Sequence, residues 1–112
     1  MIYELRTYTV RPEKMPVLLD LWRQVGRPLI DRHLKCLGVW TTESGELNRV
    51  VHLYVWDSYS SREELRRRFY EDSEAQAYVA QVKPLYQRQE SVMLFPTDFS
   101  PRIEIVGESR HE

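Results

Sequence analysis

The chain has 112 residues, of which 42% are hydrophobic, enough for one domain with a small core. Sixteen basic residues against seventeen acidic ones leave a net charge of −1, which excludes the broad electropositive surface that nucleic acids require. The single cysteine, Cys36, excludes an internal disulfide and any Cys-x-x-Cys metal spacing.

The first residues show no basic segment followed by an apolar run. No apolar stretch approaches the roughly twenty residues that cross a bilayer. The expectation is a soluble, cytoplasmic protein without membrane insertion.

Residues 2–10 alternate in period two, as a strand does. Arg11-Pro12-Glu13 breaks that pattern. Met15, Leu18, Leu19, Trp22, Val25 and Leu29 then recur at three- and four-residue steps, the stripe of an amphipathic helix. Pro16 is tolerated in the first turn, whereas Pro28 removes a backbone donor near the far end, so a kink or stop is expected there. Cys36 to Glu43 reads as a second strand centred on Val39, Trp40, Thr41 and Thr42. A hairpin loop over 44–48 follows, with Gly45 and Asn48 able to take positive φ. The third strand continues to Trp56.

Ser61 with Glu64, or Ser60 with Glu63, fits a capping box for the next helix. Leu65 and Phe69 form its apolar edge. Ser73 with Gln76 fits another box, so the helical region should break near Asp72. Tyr78, Val79 and Val82 face inward from the second piece. Gln89 to Phe95 reads as a fourth strand; its inward face stays open, because Val92 and Leu94 compete with Met93 and Phe95. Residues 2–101 form the domain. Residues 102–112 form a mostly polar tail that only Ile103, Ile105 and Val106 can anchor.

The order β-α-β-β-α-β describes a ferredoxin-like α+β unit, an antiparallel four-stranded sheet with both helices on one face. The third strand sets Val51, Leu53 and Val55 against His52, Tyr54 and Trp56. The first sets Tyr3 and Leu5 against Glu4, Arg6 and Tyr8. The branched set suits helices. The opposite face is then expected to carry Glu4, Arg6, Tyr8, Trp40, Thr42, His52, Tyr54 and Trp56. Covering several aromatics, at about 25 cal/mol per Å² of apolar area, is worth several kcal/mol. A second copy of the sheet is the simplest cover, so the expected partner is an identical subunit, joined through the sheet faces around a cavity.

Within that cavity His52 is a candidate general base or ligand hydrogen-bond partner, and equally a satisfied histidine bridging strands at a dimer interface. Glu4 and Arg6 form either a structural ion pair or a device in which Arg6 anchors a carboxylate or enolate oxygen while Glu4 orients Arg6 or His52. Tyr8 and Tyr54 can donate to a bound oxygen. Trp40 and Trp56 can stack on a planar substrate or simply pack, and Thr42 shares their wall. Arg62, Arg66, Arg67 and Arg68, with Glu63 and Glu64, read as a solvated helix face. Cys36 reads as a small semi-buried hydrophobe. His33 near Asp31 lacks a second ligand, so no metal site is assigned, and no cofactor is called for.

Several segments resemble the NIPSNAP family. They are Tyr3-Glu4-Leu5-Arg6-Thr7-Tyr8, Trp40-Thr41-Thr42-Glu43, Gly45, Leu47-Asn48-Arg49-Val50-Val51-His52-Leu53, Asp57-Ser58, Arg62, Pro84-Leu85, Gln89-Glu90-Ser91 and Phe99-Ser100-Pro101. They run from Tyr3 to Pro101 and are similar to those of a small bacterial member; Arg49 stands where the family more often has a neutral polar residue. The resemblance implies a dimeric α+β barrel. That fold is shared with antibiotic-biosynthesis monooxygenases, haem-degrading enzymes and small isomerases, so it names no reaction.

The functional expectation is a cavity for a small, partly apolar molecule bearing a carbonyl or acidic oxygen. In its enzymatic version, a cofactor-independent proton-transfer or oxygenase-type reaction, His52 moves the proton while Arg6 and the tyrosines hold negative charge. The alternatives are a non-catalytic dimeric interaction or scaffold protein, and a haem-binding protein.

Overall fold

The computed structural model describes residues 1–103. Ile105 and Val106, the proposed anchors of the tail, lie outside the described residues, and Ile103 is about half exposed. Four strands form one antiparallel sheet: β1 (Ile2–Val10), β2 (Cys36–Thr41), β3 (Arg49–Trp56) and β4 (Tyr86–Leu94), in the order β2-β3-β1-β4. The α+β, ferredoxin-like arrangement read from the sequence is the observed one. β2 ends two residues earlier than expected and β4 starts three residues sooner. In the β2–β3 loop Gly45 and Asn48 adopt φ of 73° and 62°, the left-handed conformation that a tight turn demands of Gly or Asn.

The first helical layer is α1 (Met15–Leu21) and α2 (Arg27–His33), joined by a π turn at Trp22–Gly26. The chain therefore neither stops nor breaks at Pro28. Arg27 N–H reaches back five residues to the Trp22 carbonyl, and this wider turn loosens the ladder where the proline ring would otherwise meet the preceding turn. α3 (Tyr59–Glu71) starts at Ser58, whose hydroxyl accepts from Ser61 N–H at 3.0 Å. α4 (Ser73–Val82) starts at Asp72, whose carboxylate accepts from Glu74 N–H at 2.9 Å. The break near Asp72 is where the sequence put it. Both caps lie one to three residues upstream of the expected ones, because the residue whose side-chain acceptor meets the first free N–H groups sets the start.

The largest departure concerns the two faces of the sheet. The helices pack on the face bearing Tyr8, Val10, Val50, Tyr54 and Trp56, which join Leu18, Leu29, Ile30, Phe69 and Tyr78 in one core cluster. Glu4, Arg6 and His52 share that face by strand alternation; Glu4 is 0% exposed and His52 5%. The expectation that these side chains line the helix-free face is thus overturned. The helix-free side carries the branched set instead: Leu5, Val51 and Leu53, continued on β4 by Val92 and Leu94. Large aromatics reach across the gap between sheet and helices that short branched residues would leave unfilled. Their polar tips are satisfied within the sheet, Tyr8 by Arg6, Tyr54 by His52 and Trp56 by Glu4, and Arg62 of α3 adds its guanidinium to the Glu4 carboxylate. On β4 the open choice resolves with Met93 packed against the core, while Val92 and Leu94 point away and are 49% and 42% exposed.

Candidate functional site

A cavity of about 260 Å³ lies between the helix-side face of the sheet and the helices above it. The central strands supply its floor. Arg6 stands opposite His52 across the β1–β3 ladder, and Glu4 stands opposite Tyr54. Arg6 Nε donates to Tyr8 Oη at 2.8 Å, and its Nη1 donates to Glu4 Oε2 at 2.8 Å. His52 Nδ1 and Tyr54 Oη are 3.1 Å apart. The roof begins with Trp22, whose indole meets the His52 ring edge-on at 4.6 Å. Tyr78 and Val79 of α4 and Arg66 and Phe69 of α3 continue it.

Burial, reinforced by the Arg6 guanidinium, pushes the His52 imidazole down to about 3. It is therefore neutral at physiological pH, a hydrogen-bonding group with little basicity. Burial also raises the Tyr8 and Tyr54 phenols. Both keep their protons and remain donors.

Glu4 does not line the cavity. Burial alone would raise its carboxyl, but hydrogen bonds from Arg62, Ser91 and Arg6 outweigh that and hold it at about 2. Arg62 grips both carboxylate oxygens, at 2.9 and 3.1 Å; Ser91 Oγ donates at 2.6 Å and Trp56 Nε1 at 3.1 Å. A buried carboxylate this fully occupied is a structural hub that ties α3 to both central strands and fixes Arg6. It reaches Arg6 as expected and forms no bond to His52.

Of the residues singled out in the sequence, Arg6, Tyr8, His52, Tyr54 and Trp56 converge on the cavity. Trp40 and Thr42 do not. Trp40 projects from the helix-free face, 54% exposed, with its indole over Gly38, where an added Cβ would come within 2.6 Å of the ring. Thr42 follows β2, and its hydroxyl accepts from Arg49 N–H at 3.3 Å. On β2 it is Val39 that stands opposite His52, while Trp40 stands opposite Val51, so the indole leaves the sheet on the side away from His52.

Periodicity assigns Trp22 and Tyr78 to the core and Arg66 to a solvated helix face, and Tyr86 carries no sequence signal; all four line the cavity. Arg66 carried a usable signal. It lies three residues before the core residue Phe69 and four before Tyr70, so it shares their side of the helix. Cys36 is the semi-buried thiol expected, pushed up by burial to about 11. His33 pairs with Asp72 at 2.8 Å. Among the described residues no group of His, Cys, Asp or Glu is arranged to hold a metal ion, and no helix is long and apolar enough to cross a membrane.

The NIPSNAP family model matches residues 3–101. The chain belongs to the NIPSNAP family. Human NipSnap homolog 3A is 32% identical over 101 residues, a match that covers 89% of this chain and 41% of the human protein. The chain thus spans about two fifths of the length of that relative. A NIPSNAP domain protein from Burkholderia xenovorans superposes with a TM-score of 0.88 at 36% identity, covering 91% of this chain and 100% of the other. A NIPSNAP family protein from Agrobacterium tumefaciens gives 0.86 at 34% identity, with 88% of each chain covered. An antibiotic biosynthesis monooxygenase gives 0.65 at 13% identity, covering 87% of this chain and 99% of the other. That likeness concerns the fold alone.

Proposed function

We propose that this NIPSNAP protein binds a small, largely aromatic molecule in the cavity between its sheet and its helices. One observation carries the reading: an open volume of about 260 Å³ whose walls are mostly aromatic and into which Arg6, Tyr8, His52 and Tyr54 converge. Concave, mainly apolar spaces with a few convergent polar groups are the usual form of ligand sites. In this reading His52 positions the ligand as a neutral hydrogen-bond partner. Arg6, clamped by Glu4 and Tyr8, presents a fixed positive charge. The same groups suit a proton-transfer or oxygenase-type reaction without a cofactor only where the bound molecule itself raises the basicity of His52. Binding is therefore the primary proposal and turnover a dependent one.

The test is a thermal-shift and tryptophan-fluorescence screen against neutral and charged planar aromatics. It is run on the wild type and on Val79→Phe, which fills the cavity from α4. Hits on the wild type that vanish in a folded Val79→Phe protein are the expected result. A screen without hits, or hits that Val79→Phe leaves unchanged, would overturn the reading.

The second part of the proposal is a homodimer through the helix-free face of the sheet. Its support is the apolar set Leu5, Val51, Leu53, Val92 and Leu94, which one protomer leaves uncovered by its helices. Apolar patches of this kind mark association surfaces.

A further inference from the structure

We propose that the cavity selects an aromatic molecule bearing a carboxylate, with its ring between the aromatic walls and its charge on Arg66 and Lys83. The inference rests on the binding reading above and adds the class of ligand.

The charge of the lining is one-sided. Arg6, Arg66 and Lys83 contribute to it, and no aspartate or glutamate does. Composition does not explain this, since the chain has more acidic than basic residues. Nor does a general lack of partners along α3. Arg62 holds Glu4, Arg67 holds Glu64 and Glu71, and Arg68 holds Glu64. Arg66 departs from that series. It has no carboxylate partner among the described residues, and its guanidinium lies 5.5 Å from the centre of the Tyr70 ring. Lys83, at the start of the turn Lys83–Leu85, likewise has no ion pair among the described residues. Arg66 is half-buried and Lys83 exposed, so both stand where the lining of an otherwise largely aromatic space meets solvent.

Nothing in the walls opposes a negative ligand. The phenols that face the cavity stay protonated and can donate to an oxygen, and His52 is neutral. A cationic ligand would meet the like charges of Arg66 and Lys83, which no carboxylate of the lining offsets. A neutral aromatic would fill the walls and leave the charges of Arg66 and Lys83 unanswered. An anionic group uses both ends of the site, as guanidinium and ammonium groups do when they recognise carboxylates. The ring pairs already present, Tyr8 on Tyr86 at 4.5 Å and Tyr54 on Trp56 at 5.8 Å, offer flat faces to a flat ligand.

Two probes of one shape separate charge from fit: 2-naphthoate and 2-naphthamide, titrated calorimetrically into the full chain. The carboxylate should bind at least tenfold more tightly than the amide. Arg66→Gln and Lys83→Gln should each reduce that preference several-fold. Together they should abolish it, with the circular dichroism spectrum retained. Val79→Phe should block both probes. Equal affinity for the two probes, or a preference that survives the double substitution, would overturn anion selection while leaving the binding reading intact. Naphthoate binding that persists in Val79→Phe would place the anion elsewhere on the surface and likewise overturn the inference. If neither probe binds, the inference falls; if the wider aromatic screen is also silent, the binding reading falls with it.

Discussion

His52 shows how burial changes what a residue type means. An exposed imidazole titrates near neutrality and suits proton transfer; this one sits under Trp22 beside a guanidinium and is held at about 3 against an ordinary value of 6.5. The unfolded chain binds a proton there below pH 6.5 and the folded protein does not, so stability is full above pH 6.5 and falls as the pH drops toward 3. The slope from this one group approaches about 1.4 kcal/mol per pH unit once the unfolded imidazole is fully protonated. Glu4, held at about 2 against 4.5, adds its own loss of stability below pH 4.5. Urea denaturation between pH 7 and 5 should therefore show stability falling in the wild type and staying nearly flat in His52→Gln. A wild-type profile as flat as that of the variant would show that His52 titrates normally and is not enclosed as described.

The π turn shows how an element shapes the cavity. It carries Trp22, whose ring meets His52, at its first position and Gly26, beneath the Tyr78 phenol, at its last. A Cβ at Gly26 would lie 2.5 Å from Tyr78 Oη, and Gly26 itself has an ordinary helical φ of −63°. Two effects of Gly26→Ala then compete. Helix propensity favours alanine by roughly 0.5–1 kcal/mol, whereas crowding a buried ring costs about 1–3 kcal/mol. In the wild-type background crowding wins, and the variant should be destabilised by about 1–2 kcal/mol. In a Tyr78→Leu background the clash is gone, and the same change should be neutral or stabilising. A double-mutant cycle by chemical denaturation reads this reversal directly. Additive effects would show that the two residues are not in contact.

At the scale of the molecule, the sheet has two apolar faces and one set of helices. The helices take the aromatic face, and the branched face is the one proposed to meet a second copy. Val92 is about half exposed on an edge strand, so a charge there can be tolerated by an isolated protomer while being costly inside an interface. Sedimentation equilibrium should give twice the chain mass for the wild type and the chain mass for Val92→Arg, with unchanged helix content. A wild-type protein that is monomeric at tens of micromolar would remove the dimer from the proposal.

The sequence by itself determined the elements and their order. The period of two in residues 2–10 and 50–56, the stripe from Met15 to Leu29, the break at Asp72 and the positive-φ loop residues are all local properties. They follow from backbone geometry within a few residues. It also paired Glu4 with Arg6 and grouped His52 with Tyr54, since strand alternation alone puts them on one face. Only the tertiary structure decided which face the helices cover. Both faces are apolar enough to be buried, and the face that becomes the core is the one whose carboxylate, Glu4, finds partners far along the chain in Trp56, Arg62 and Ser91. Arg62 reaches Glu4 from α3, and Trp22 and Tyr78 come down from the helical layer onto the floor of the cavity. Burial is a sum over contacts made across the whole chain, and no local window contains it.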